Sequence, residues 1–180
     1  MRHPYSQSIS IPEGVSCEIS NGNLKVSKSG VSLSRHLEIP GVLVKIESNE
    51  IVFSAKKSSK REISTIKSYV AHINNMFSGV DKEFVYSLES CNVHFPMTLK
   101  VEKDKLIINN FLGEKTPRSA VILPNVKVEV KGQKITVASR DKELAGQTAA
   151  NIEKATIVRK RDRRVFQDGI FLVERAGELI

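Results

Sequence analysis

The sequence predicts an α+β protein made of two tandem, pseudo-symmetric copies of one unit, each a small, mainly antiparallel sheet packed on one helix. Three observations predict it. Apolar residues alternate with polar ones over short runs bounded by turn residues, as half-buried strands require. One longer stretch spaces its apolar residues three and four apart, as an amphipathic helix does. The pattern then recurs: Val126, Val128, Val130, Ile135 and Val137 match Val42, Val44, Ile46, Ile51 and Phe53 at a constant offset of 84 residues.

In chain order, Val15, Cys17 and Ile19 alternate, Asn21-Gly22 supplies a tight hairpin turn, and Leu24 and Val26 return. Val31 to Leu37 alternates again and is closed by Ile39-Pro40-Gly41. Val42, Val44 and Ile46 lead through a Ser48-Asn49 turn to Ile51 and Phe53. Ser59 with Glu62 forms a capping box that opens a helix. Its stripe is Ile63, Ile66, Val70, Ile73 and Phe77, and Ser78-Gly79 is expected to end it. In the second copy Leu106 and Ile108 stand for Leu24 and Val26, offset by 82, and Gly132-Gln133 for Ser48-Asn49. A helix from about Asp141 to Thr156 replaces the first. The expected division is 1–82 and 83–180, with a linker near Gly79 to Phe84 and Val85 to Phe95 joining the halves.

With 40% hydrophobic and 27% charged residues in 180, the chain reads as globular. A net charge of +8 and a pI near 9.5 point to nucleic acid or another anionic surface. Residues 1–90 hold 11 Lys/Arg against 9 Asp/Glu and residues 91–180 hold 17 against 11, so the second half is expected to carry most of the attraction. Cys17 and Cys91 are too few for a disulfide framework and suit a reducing compartment. No signal peptide or membrane-length apolar run is visible, which leaves the cytosol or nucleus.

The attraction concentrates in Gly146 to Phe171. A helix containing Ala149 and Ala150 runs into Lys154, Arg159, Lys160, Arg161, Arg163 and Arg164, with Asp162 among them. Val158, Val165 and Phe166 are interleaved and an Asp168-Gly169 turn and an apolar run follow, so the basic surface is expected to be held in shape. A strand-like path would send Arg163 and Arg164 to opposite faces. The loop Asn109 to Arg118, with Gly113 and Pro117 around Lys115 and with Arg118 at its end, is the second candidate.

Catalytic and metal patterns are missing. His3, His36, His72 and His94 have no ligand spacing, and no nucleophile elbow, phosphate loop or dinucleotide loop is present. The aromatic pattern of single-strand readers is missing too, which leaves Arg/Lys contacts to the phosphates and sugars of folded RNA. No enzyme and no cofactor is expected.

NNFLGEKTPR at 109–118, NVHFP at Asn92 to Pro96, AANIEKATIVRKRDRR and FQDGIF together resemble one family, as do IPEGV at Ile11 to Val15 and HINNMFSGV at His72 to Val80. It is the ribosomal large-subunit protein family numbered six in bacteria and nine in the eukaryotic cytosol. The likeness covers essentially the whole chain, and it implies the same tandem α+β architecture. It further implies a structural protein that binds large-subunit rRNA mainly through the C-terminal copy, near the stalk base and sarcin–ricin loop, beside neighbouring large-subunit proteins. By position, the implied contacts are Lys115, Arg118, Lys154 and Arg159 to Arg164, with Gly169 as a close-approach position. FQDGIF matches the archaeal and eukaryotic form, with the eukaryotic cytosolic ribosome favoured and assembly in the nucleolus implied. A free two-domain adaptor binding a protein through a sheet edge is the alternative from another class.

Overall fold

The structure is a computed structural model and describes residues 3–37, 40–47 and 49–179. Ile39 and Ser48, expected in two of the turns, lie outside the described residues. The chain divides into two compact units, Met1–Lys82 and Glu83–Ile180.

The first unit holds β1 (His3–Ser10), β2 (Ser16–Ser20), β3 (Asn23–Lys28), β4 (Val31–His36), β5 (Leu43–Glu47), β6 (Glu50–Ser58) and α1 (Lys60–Asp81). They form two three-stranded antiparallel sheets, β1-β6-β5 and β2-β3-β4. The second unit holds β7 (Phe84–Cys91), β8 (Thr98–Glu102), β9 (Lys105–Asn109), β10 (Arg118–Val121), β11 (Lys127–Lys131), β12 (Lys134–Ser139), α2 (Lys142–Ala155), β13 (Gly169–Arg175) and β14 (Glu178–Leu179). Its sheets are β10-β9-β8 and β11-β12-β7-β13-β14, again antiparallel. Each unit therefore has two sheets where the sequence suggested one.

The repeat extends to strand register. Val44 faces Phe53 and Ile46 faces Ile51; in the second unit Val128 faces Val137 and Val130 faces Ile135, all 84 residues on. Cys17 faces Val26 and Ile19 faces Leu24, as Leu99 faces Ile108 and Val101 faces Leu106, 82 residues on. Since a slip of one residue would turn every side chain over, shared register means shared inward faces. Leu24, Val26, Ile51 and Phe53 are indeed fully buried, and so are Leu106, Ile108, Ile135 and Val137.

Each helix packs on both sheets of its own unit: α1 on β3 and β4 and on β1 and β6, α2 on β10 and on β7, β12 and β13. The capping box at Ser59 and Glu62 opens α1. Ser78-Gly79 does not end it. Gly79 is buried within the last turn, and the helix runs on to Asp81 because Val80 supplies one more buried contact. The faces of the two helices differ. Ile66, Ile73, Met76 and Phe77 fill the first core, whereas α2 buries Ala145, Thr148, Ala149 and Ile152. A side chain at Gly146 would meet the Tyr86 hydroxyl at 3.2 Å, so glycine lets α2 lie close to β7.

Val85 to Cys91 is not a connector. It belongs to β7, the central strand of the larger sheet, with Tyr86, Leu88 and Ser90 turned inward and both neighbours paired. Burial on this scale predicts a sharp contrast in stability. Phe53→Ala should cost about 3–5 kcal/mol through cavity formation, while Val121→Ala, at a side chain 52% exposed, should stay within about 0.5 kcal/mol. Urea denaturation of the two variants measures both.

Candidate nucleic-acid interface

The site is built outward from the C-terminal end of α2. Asp141 caps the start of the helix, accepting the N–H groups of Glu143 at 2.8 Å and Leu144 at 3.4 Å. At the other end Thr156 is buried, and its hydroxyl donates to the Glu153 carbonyl at 3.2 Å and accepts the Ile170 N–H at 2.9 Å. Asp168 is also buried, and its Oδ1 accepts the Val93 N–H at 2.7 Å. The basic segment between them is thus a closed excursion, tied to the core at both ends.

Within it the backbone makes a turn, not a strand. The Asp162 carbonyl accepts the N–H of Val165 at 3.1 Å and of Phe166 at 2.9 Å, and the Asp162 side chain accepts the Arg164 N–H at 2.9 Å. The alternating arrangement of Arg163 and Arg164 therefore does not occur. A different asymmetry separates them. Arg164 folds back on the Asp162 carboxylate at 2.8 Å, which pushes its guanidinium up and holds the Asp162 carboxyl below its usual range. Arg163 is exposed and pairs with no acid among the described residues. Arg161 lies over the Phe166 ring, 4.8 Å from its centroid, and fixes that side of the turn. Lys154, Arg159 and Lys160 are exposed, without an acidic partner among the described residues.

The loop after β9 is equally well held. Phe111 is buried as a plug, and the Asn110 side chain donates to the Pro96 carbonyl at 3.1 Å. Asn110, Leu112 and Gly113 all have positive φ (59°, 50° and 74°), a combination that is strained at a branched residue such as leucine. The first unit joins β3 to β4 with the two-residue turn Ser29-Gly30 instead. Lys115 is exposed at the tip of the longer loop.

Arg118 behaves unlike the other cations. Its Nε donates to Glu114 Oε2 at 2.8 Å and its Nη2 to Oε1 at 2.6 Å, while Nη1 reaches the carbonyls of Ala155 at 3.0 Å and Ile157 at 3.3 Å. Its guanidinium also stacks 4.3 Å from the Phe111 ring centroid. Of the five N–H donors an arginine has, four are directed inward. The hydrogen bonds from Arg118 hold the Glu114 carboxyl below the usual glutamate range, against partial desolvation, and the charges of Arg118 and Arg161 add to the effect.

Gly169 is buried at the start of β13, and a side chain there would meet the Phe171 ring at 3.0 Å. The close approach at this glycine is thus within the chain. An open cleft of about 1020 Å³ lies alongside, lined by Arg163, Arg164 and Phe166 but also by Glu89, Glu153 and Asp168. The cleft thus mixes both signs of charge. Exposed Val93, Val165 and Phe166 give the same area an apolar component. The structure thus brings Arg159 to Arg164 together with the loop through Arg118 and Glu114, residues the basic pattern alone did not distinguish. The roles of Glu114 and Thr156 were missed, and Asp168-Gly169, expected as a turn, instead ties to Val93 and opens β13; only the four-residue spacing of Glu114 and Arg118 signals their pairing in sequence.

Divided at the boundary between units, the charge is even. Residues 1–82 hold 11 Lys/Arg against 7 Asp/Glu and residues 83–180 hold 17 against 13, a net +4 each. Local density therefore distinguishes the C-terminal surface, not net charge. The first unit has its own smaller concentration, with Lys56, Lys57, Lys60 and Arg61 all exposed.

The family model for ribosomal protein L6 matches residues 95–169, a span from the turn after β7 through the loop, α2 and the basic segment. The large ribosomal subunit protein uL6 of Methanococcus vannielii is 43% identical over 175 residues, covering 97% of this chain and 96% of that protein. The uL6 of Methanospirillum hungatei is 44% identical over 170 residues, covering 94% of this chain and 97% of its own length. This chain belongs to the ribosomal protein L6 family. That family is structural and non-enzymatic. Both relatives are archaeal, so the leaning toward a eukaryotic source is not borne out.

In this L6-family chain two contacts, the Thr156–Ile170 bond and the Glu114–Arg118 pair, can be tested separately. Thr156→Val leaves the buried Ile170 N–H without its acceptor and should cost about 1–3 kcal/mol, read by chemical denaturation. At Glu114 the folded value lies below the unfolded one. Its contribution is therefore complete above the ordinary value of 4.5 and is lost as pH falls through the lowered value. The Arg118 Nε–H resonance should persist through pH 4.5 and disappear only on further acidification.

Proposed function

We propose that this chain is a structural component of the large ribosomal subunit, acting in translation in the cytoplasm, and that its C-terminal unit binds large-subunit rRNA. The relatives' shared name supports the first part. One observation carries the second: six cations from Lys154 to Arg164, at the end of α2 and in the segment after it, stand exposed, and the one acid among them, Asp162, is engaged within the turn. Such an array is self-repelling until phosphate neutralises it.

Lys115, Lys154, Arg159, Lys160, Arg161 and Arg163 are the proposed backbone contacts, with Arg164 secondary because Asp162 competes for it. Phosphate contacts set position and carry no sequence information. Recognition then comes from the fixed shape of this surface, with exposed Val93, Val165 and Phe166 against sugar edges. The proposed location is near the stalk base and sarcin–ricin loop, among the large-subunit proteins there, as the family resemblance implies.

Two triple variants of the full chain test this, because they remove equal charge. Arg159→Ala/Lys160→Ala/Arg163→Ala should weaken binding to protein-free large-subunit rRNA and flatten the log–log salt dependence, by up to about 0.9 per lost duplex phosphate contact. Lys56→Ala/Lys57→Ala/Lys60→Ala should change affinity far less. Equal losses would mean attraction by net charge alone and would sink the proposal. Single substitutions refine it: Arg163→Ala should weaken binding more than Arg164→Ala in the same filter-binding titration, with unchanged thermal melts for both.

A further inference from the structure

We infer that Arg118 is a positioning residue for the rRNA-binding surface, acting with Glu114 as a clamp that fixes where the basic segment leaves α2, and is not itself a phosphate contact. The inference rests on the proposed rRNA-binding role of that segment.

The geometry is specific. The carbonyls of Ala155 and Ile157 flank Thr156, the residue that ends α2. Carbonyls at a helix C-terminus lack intrahelical partners and carry the negative end of the helix dipole, so a cation satisfies both needs there. Ile157 is the first residue beyond that cap, and Arg159 follows two residues later. The other side of the guanidinium grips Glu114 in a two-pronged pair, and the Phe111 plug lies beneath it. The loop and the helix exit are thereby joined through one side chain. The charge of Arg161 also helps hold the Glu114 carboxylate ionised. A lysine could keep the charge at 118 but could not span the two carbonyls and both carboxylate oxygens.

The decisive variant is Glu114→Gln, because the two explanations predict opposite signs. Removing an acid beside a polyanion site strengthens binding if Arg118 is a contact restrained by Glu114. If Arg118 positions, losing the clamp weakens binding despite the favourable charge change. Full-length Glu114→Gln and Arg118→Lys should each bind protein-free large-subunit rRNA about tenfold more weakly than the unaltered chain, as expected for loss of a charged hydrogen-bond pair. Hydrogen exchange in the RNA-free protein supplies a second readout, since the Val165 and Phe166 amides bonded to Asp162 should exchange faster in both variants. Tighter or unchanged binding by Glu114→Gln overturns the inference, as does unchanged exchange at these amides. If the unaltered chain itself shows no preference for this rRNA over an unrelated polyanion, the rRNA reading fails. Exchange then decides the clamp alone: faster exchange sustains it and unchanged exchange overturns it.

Discussion

The end of α2 is where the demands on this chain meet. A helix terminus exposes carbonyls that need donors, and a run of cations follows immediately in the chain. Thr156 meets part of the demand by turning inward, where its hydroxyl joins the helix to β13 through Ile170. Arg118 meets another part from outside, bringing the loop after β9 with it. Without these two attachments the segment from Ile157 to Gln167 would keep the turn at Asp162, the Arg161–Phe166 contact and the Asp168–Val93 bond at its far end, but would lose its anchorage at the helix exit. Conformational entropy would then oppose binding, since ordering a backbone residue costs about 1–2 kcal/mol. A shape fixed beforehand removes that cost from association.

The duplication explains how such a loop could be added to a stable core. The paired positions Val44–Phe53 and Val128–Val137, and Cys17–Val26 and Leu99–Ile108, keep the same register in both units. Register determines which strand side chains are buried, so the hairpins specify the shared part of each core, to which the β9–β10 connection adds Phe111. The β3–β4 turn could therefore become the longer β9–β10 loop without shifting Leu106 or Ile108, both fully buried. Length added to a surface loop costs little, about 0.6 kcal/mol per doubling.

Much of this was legible from the residues. The hairpin at Asn21-Gly22, the capping box at Ser59 and both helices follow from local chemistry, and the repeat follows from comparing offsets. What escaped has physical reasons. β1 places Gln7 between Tyr5 and Ile9 on its inward face and lines the other face with serines, which blurs the alternation. β7 was read as a connector because its partners, β12 and β13, lie some 50 and 85 residues away in sequence, a pairing no local pattern encodes. Charge density singled out this surface, yet it could not separate Arg118 from Arg163. Both are arginines in basic surroundings, and only the fold shows that one is turned inward and the other outward.

That difference bears on how basic surfaces should be read. An arginine's value to a polyanion depends on the donors it has left, and Arg118 has committed four to its own chain. Arg164 is partly committed to Asp162, and Arg163 meets no acid among the described residues. The cations thus differ in how far they are committed to their own chain. The acids are part of this difference. Glu114 and Asp162 lower the net charge of the surface, which alone would weaken its pull on RNA. Each holds an arginine in a defined place in exchange. A surface built for nonspecific attraction would gain by losing both acids, whereas one built to match a particular RNA shape needs them.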